Sequence, residues 1–211
     1  MKAKQTVKLI QWILIGVLLW PVAMVSAASD TTSKSPEQVV HHLQTSLIQA
    51  MRQGSRLSYQ ERLDFLSPII TQSHDFDLII KTILGATYWA QLTQEQQNLI
   101  MNTFRQLSVA TYAGQFTHHE GEQFEIIEQR ALPHDQILVR SQLVKSDGGI
   151  VNFDYVLQQG DGLQWRIVNI LFDGVSDLAI KRREYRAILQ RDGFSALVEM
   201  LKEKITLTRQ N

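Results

Sequence analysis

Residues 150–172 read IVNFDYVLQQGDGLQWRIVNILF. Val151, Phe153, Tyr155 and Leu157 alternate with Asn152, Asp154 and Gln158, the period of a strand with one covered face. Gln159-Gly160-Asp161-Gly162 supplies hairpin turn residues. Beyond it, Trp165, Ile167 and Leu171 fall on one face of a second strand, and Val168, Ile170 and Phe172 on the other. Both faces of that strand are therefore expected to be buried. Just upstream, Ser146-Asp147-Gly148-Gly149 is another tight turn. The pattern extends to four strands, at 122–130, 136–145, 150–158 and 163–172. Links this short join antiparallel neighbours, so the four form a meander.

N-terminal to the strands the apolar period is helical. Ser35-Pro36-Glu37-Gln38 is a capping box with proline at the first helical position. Val39, Val40, Leu43, Leu47 and Met51 follow as one stripe, closed by Gly54. Ser58-Tyr59-Gln60-Glu61 caps a second helix through Leu63, Leu66 and Ile70, which Pro68 is expected to bend or end. Asp75 caps a third, Phe76 to Leu84, stopped by Gly85 ahead of Tyr88 and Trp89. Thr93-Gln94-Glu95-Gln96 opens the longest, to about Phe116, with Ile100, Phe104, Leu107 and Thr111 on one face. After the strands, one helix is expected from about Val175 to Gln190 and a last one from Phe194 to about Ile205, with Asp192-Gly193 between them. The expectation is an α+β domain, a curved antiparallel sheet of about four strands covered by about six helices. Such a layered pair can enclose an apolar cavity.

The first residues do not resemble the rest. Lys2, Lys4 and Lys8 precede an apolar stretch, Trp12 to Trp20, then Pro21 and the small residues of Val25-Ser26-Ala27. That is the grammar of a secretory signal, with cleavage expected after Ala27. The alternative is a membrane anchor, because Leu9 to Ser29 holds no charge over 21 residues. Pro21 and the small-residue end favour cleavage. The organisation is then a signal peptide at 1–27, a disordered lead-in at 28–34 and a single domain at 35–211.

Composition narrows the function. The chain has 211 residues, 44% hydrophobic and 20% charged, which suits a globular domain with its own core. Twenty-one basic side chains balance 21 acidic ones. Loss of the signal removes three lysines and leaves a net charge of −3. A nucleic-acid partner is not expected, since phosphate binding needs a clustered positive excess. Cysteine is absent, which excludes disulfides, thiolate metal sites, a catalytic thiol and a lipidated cysteine anchor.

No zincin, nucleophile-elbow, P-loop or dinucleotide-binding motif occurs. His118-His119-Glu120 is the best metal candidate, but adjacent imidazoles on a helix end would point about 100° apart. His41-His42 meets the same objection. Asp75 and Asp77 lie in a first helical turn, where the dipole favours carboxylates without any catalytic role. No enzyme, metal or cofactor is expected. Two features remain. One is the basic run Lys181-Arg182-Arg183-Glu184-Tyr185-Arg186. The other is a surplus of large aromatics: Tyr88, Trp89, Phe104, Tyr112, Phe116, Phe153, Tyr155 and Trp165.

Specific residues then match a family. Asp75-Phe76-Asp77 with Leu84-Gly85-x-x-Tyr88-Trp89, the long helix with Phe104 and Thr111-Tyr112, and Tyr155-x-Leu157 follow one order. Trp165-Arg166-Ile167-Val168, Asp173-Gly174-Val175-Ser176, Arg183 with Tyr185, and Gly193-Phe194-x-x-Leu197 continue it. The series resembles the MlaC or toluene-tolerance family of periplasmic phospholipid-binding proteins, over roughly residues 36–205. Asp173 stands where that family often has Glu. The segment Ser176 to Ala179 with Arg182-Arg183-Glu184-Tyr185 looks closer to a hopanoid-biosynthesis-associated branch.

The resemblance implies an NTF2-like cone with an apolar cavity, in a periplasmic carrier without catalysis. Its ligand would be a phospholipid or a hopanoid-type lipid. Its partners would be an inner-membrane ABC transporter complex and an outer-membrane lipoprotein complex. Tail contacts are expected from Val151, Phe153, Tyr155, Trp165 and Ile167 on the sheet, and from Ile83, Tyr88, Phe104 and Leu107 on the facing helices. Arg182, Arg183 and Arg186 are expected to meet a headgroup or a partner. The competing readings are an envelope interaction module without a cavity and a hydrolase with a spatially assembled site.

Overall fold

A computed structural model describes residues 34–160 and 162–209. The expected signal peptide and nearly all of the expected lead-in lie outside the described residues.

The three capping boxes are formed as read. Ser35 with Gln38 opens α1 (Pro36–Gln53), Ser58 with Glu61 opens α2 (Tyr59–Ser73), and Thr93 with Gln96 opens α5 (Gln94–Gln115). Each box satisfies two backbone N–H groups that a helix start leaves without partners. Asp75 caps α3 (Phe76–Leu84) by accepting from Leu78 N at 2.9 Å. Gly85, at φ 90°, turns the chain into the short α4 (Ala86–Gln91).

Pro68 does not end α2. The helix runs five residues further, to Ser73. Pro68 and Asp64, whose carbonyl the ring deprives of a hydrogen bond, are both exposed, so the interruption falls on the solvent side of the helix. Leu66 and Ile70, both fully buried, anchor the helix on either side.

The sheet has five antiparallel strands in the order β1-β2-β3-β4-β5: β1 (Gln123–Leu132), β2 (Gln136–Val144), β3 (Ile150–Gln159), β4 (Trp165–Phe172) and β5 (Val175–Ser176). This corrects the expected four-stranded NTF2-like cone. Strand order is linear, and β1 and β5 remain two separate edges, whereas a closed sheet needs its first and last strands paired. The fifth strand is two residues long and too short to show a period.

Register places Phe153 opposite Ser141 and Phe172, and Tyr155 opposite Val139 and Ile170. A bulge in β4 then intervenes: Val156 faces Asn169 but Leu157 faces Ile167, so Val168 is the extra residue. The alternation read from the sequence is therefore reset. Ile167, Ile170 and Phe172 share the inner face, and Val168 and Leu171 join Leu138 and Val156 in a small cluster on the other.

Helices α1, α2, α3 and α5 meet over the inner face around Leu43, Leu66, Ile70, Ile80 and Ile100, all at 0% exposure. A buried polar chain ties α1 to the sheet: Gln44 Nε2 donates to Ser141 Oγ at 2.8 Å, and that hydroxyl donates to Phe153 O at 2.7 Å. Arg62, 8% exposed, donates from Nε to Ala113 O at 2.6 Å and from a terminal nitrogen to Leu57 O at 3.1 Å. It thereby caps the C-terminal turn of α5.

The last helix, α6 (Asp177–Thr208), breaks at Gly193, at φ 83°. The ion pair Lys204 Nζ–Glu184 Oε1, at 2.5 Å, joins residues 20 positions apart. In a straight helix that separation spans about 30 Å. The chain thus folds back at Gly193 into two antiparallel arms.

Candidate functional site: an aromatic-lined hollow

Between the inner sheet face and the α3, α5 and α6 layer lies a cavity of about 740 Å³. That is within the usual range of ligand sites, about 300–1,000 Å³. Its sheet wall includes Phe153, Tyr155, Ile167, Ile170 and Phe172, with Val168 and Asn169 at the bulge. Its helix wall includes Phe76 and Ile79 from α3, Phe104 and Leu107 from α5, and Leu178 and Tyr185 from α6.

The helix wall is an arc of rings. Phe116 stacks on Tyr112 at 5.8 Å, and Tyr112 meets His74 edge-on at 5.7 Å. His74 stacks on Phe76 at 5.4 Å, Phe76 meets Phe104 at 6.0 Å, and Phe104 meets Tyr185 at 6.4 Å. On the sheet, Phe153 is held edge-on by Phe124 at 5.4 Å and by Phe172 at 4.9 Å. Rings in offset and edge contact hold one another at fixed spacing. Flat, mutually braced walls resist collapse into the gap between them.

Both ring nitrogens of His74 are paired. His74 Nδ1 faces the Ile70 carbonyl at 3.0 Å, which can only accept, so that nitrogen carries the proton. Nε2 is then the acceptor for the Tyr112 hydroxyl at 3.2 Å. Burial lowers the His74 pKa to about 4, against a smaller upward pull from the Ile70 carbonyl and Asp177. The imidazole is therefore neutral at neutral pH. Burial also raises the Tyr112 and Tyr155 hydroxyls above their ordinary range. The hollow presents no charge along its rings.

The Asp-Gly-Val-Ser motif positions the mouth. The Asp173 carboxylate accepts from Asn152 N at 2.9 Å and from its side-chain amide at 3.0 Å, which pins the end of β3 to the turn after β4. Ser176 caps α6, accepting from Ala179 N at 3.1 Å while donating to Asn169 Oδ1 at 3.0 Å. The first turn of α6 is thereby fixed beside β4, with Asp177, Leu178 and Lys181 lining the cavity.

Of the tail contacts expected from the sequence, Phe104, Leu107, Phe153, Tyr155 and Ile167 line the hollow. Ile83 is fully buried in the solid core. Tyr88 and Trp165 are half-buried against that core, and Val151 sits at the far end of β3. Among the basic residues, Lys181 lines the mouth. Arg186 Nε donates to Ile83 O at 2.9 Å and its guanidinium packs on Gly85, where an added Cβ would lie 2.5 Å from Nη2. Arg182 has its Nε buried without a hydrogen-bond partner, and Arg183 is exposed.

Sequence reasoning missed His74, Phe76 and Tyr185 as wall residues, along with Lys204. The last two come from the arms of α6, which only the fold-back at Gly193 brings together. His118 and His119 lie in the α5–β1 connection rather than on a helix end. His119 Nε2 bonds the Glu122 carbonyl at 3.0 Å. Among the described residues no group of three His, Cys, Asp or Glu side chains is placed to hold a metal. Asp77 pairs with Arg105 at 3.7 Å. Among the described residues no helix is long and apolar enough to cross a membrane.

Comparison with known proteins gives concordant results. A family model described as MlaC protein matches residues 41–203. The toluene tolerance protein ttg2D of Pseudomonas putida is 21% identical over 180 residues, covering 84% of this chain and 81% of its own length. A protein from Ralstonia solanacearum, described as phospholipid-binding and solved in complex with a phospholipid, has the same fold, with a TM-score of 0.72. It is 22% identical, and the match covers 83% of this chain and 99% of the Ralstonia chain.

Proposed function

The chain belongs to the MlaC protein family, and on that premise we propose that it carries a phospholipid with its acyl chains in the hollow. It is a periplasmic lipid carrier and performs no catalysis. The observation that supports the choice of ligand is the predominantly apolar and aromatic lining of a cavity of about 740 Å³. The relative from Ralstonia solanacearum, which shares the fold, is described as binding a phospholipid.

The physical requirement is burial. Each methylene moved from water into an apolar wall gains about 0.8 kcal/mol. A lipid with roughly 30 methylenes therefore faces a penalty on the order of 20 kcal/mol in free solution. A carrier lowers that barrier by offering equivalent burial, and no bond needs to be made or broken. Phe104, Leu107, Phe153, Tyr155 and Ile167 are the proposed tail contacts. The domain that does this work begins at Ser35, after a signal peptide ending at Ala27. Its proposed partners are an inner-membrane ABC transporter complex and an outer-membrane lipoprotein complex, with exposed Arg183 as a contact to one of them.

A second ligand has one observation behind it. The segment that resembles the hopanoid-associated branch contributes Asp177, Leu178, Glu184 and Tyr185 to the cavity wall. A hopanoid-type lipid is therefore the alternative cargo.

Native mass spectrometry of the gently purified protein tests both. A bound species of phospholipid mass is the expected result, and a hopanoid mass would select the alternative. Leu107→Trp, which fills the hollow, should lose the bound species while keeping a native circular dichroism spectrum. A clean ligand-free mass, with no uptake from vesicles, would refute the carrier.

A further inference from the structure

This inference rests on the carrier reading and extends it to the mouth of the hollow. Among the described residues, the formally charged side chains in the lining are Asp177, Lys181, Glu184 and Lys204, all from α6. Lys181 pairs with Asp177 one helical turn away, and Lys204 pairs with Glu184 across the Gly193 break. Their side chains are 27–41% exposed, so water and a ligand can reach all four. Phe172, Ile180 and Leu207 line the same mouth at 40%, 48% and 52% exposure. An uncharged aromatic interior thus opens at a mouth where exposed apolar side chains stand beside two cations and two carboxylates. The charge of that rim sums to zero.

An amphiphile whose chains fill the interior must set its polar group against this rim. We propose that the rim reads the headgroup and favours a lipid that carries both a phosphodiester and an ammonium. Lys181 and Lys204 meet the phosphate oxygens, and Asp177 and Glu184 meet the ammonium. Such a headgroup offers each of the four side chains an opposite charge in place of its internal partner and leaves the charge of the rim unchanged. A phosphodiester without an ammonium uses the lysines but leaves two carboxylates facing an added anion, which is unfavourable. Ion pairs at this exposure are weak, so the expected discrimination is roughly two- to fivefold.

The test loads the purified protein from vesicles of equimolar phosphatidylethanolamine and phosphatidylglycerol with identical acyl chains. Bound lipid is extracted and quantified by mass spectrometry. The natural chain should be enriched roughly two- to fivefold in phosphatidylethanolamine. The double variant Asp177→Asn/Glu184→Gln has a rim of net charge +2 and should shift the ratio towards phosphatidylglycerol. Lys181→Gln/Lys204→Gln should shift it the other way. An equimolar ratio in the natural chain, or a ratio that neither double variant moves, would overturn the headgroup assignment and leave the tail cavity standing. Loading of no lipid at all would overturn the carrier reading and this one with it.

Discussion

Two regions over the same sheet face bury apolar side chains in opposite ways. Where α1, α2, α3 and α5 converge, aliphatic residues such as Leu43, Leu66, Ile80 and Ile100 fill the space completely. Where α5 and the arms of α6 pass over β3 and β4, Phe76, Phe104, Tyr185, Phe153 and Phe172 leave a hollow. Branched aliphatic chains interdigitate and close gaps. Rings braced against neighbouring rings cannot swing inward without losing those contacts. The first region supplies stability, and the second keeps a place for a guest.

The comparison is broken most readily by truncation. Leu66→Ala in the solid region should cost about 2–5 kcal/mol, because it opens a cavity in a close-packed core. Leu178→Ala in the hollow, where the side chain already borders open space, should cost less than about 1.5 kcal/mol. Urea denaturation of the two variants measures the difference. Equal losses would mean that the hollow is packed like the core.

His74 sharpens the same contrast, since it is the imidazole of the arc. Its folded pKa of about 4 lies below the ordinary 6.5, so between those values the unfolded chain binds more protons than the folded one. Stability from this group is full above pH 6.5 and falls progressively towards pH 4, by about 3 kcal/mol at most. His74→Gln should flatten that part of the pH–stability curve. An unchanged slope would place the imidazole in contact with solvent.

The smallest effect is expected at the break between the arms of α6. Gly193 has φ 83° and an added Cβ would meet no atom within 4 Å, so Gly193→Ala tests backbone strain alone. A loss of about 1 kcal/mol in chemical denaturation is expected. No loss would mean that the arms need no left-handed residue between them.

The helices were legible because each start carries its own chemistry. Ser35 with Gln38, Ser58 with Glu61, and Thr93 with Gln96 are read within four residues. The meander was legible from Gly148 and Gly160 between alternating strands. The inner face of β4 was not, because the bulge at Val168 inserts one apolar residue into a run that is apolar on both sides. Nothing in the local sequence marks where the alternation resets. The edges were illegible for a related reason, since β5 is two residues long and closure depends on long-range pairing. At the site, periodicity identified buried faces such as Phe104 with Leu107. It could not say whether the facing wall comes close enough to touch. His74 gave no signal at all, as one histidine beside a helix cap. The pairing of Lys204 with Glu184 needs the fold-back at Gly193 and is invisible to any local window.

The most direct measurement is diffraction from crystals of the protein loaded with a phospholipid brominated along its acyl chains. The account predicts anomalous peaks inside the hollow, between Phe104 on the helix wall and Phe153 on the sheet wall. Bromine found only on the outer surface, with the hollow filled by protein side chains, would contradict it.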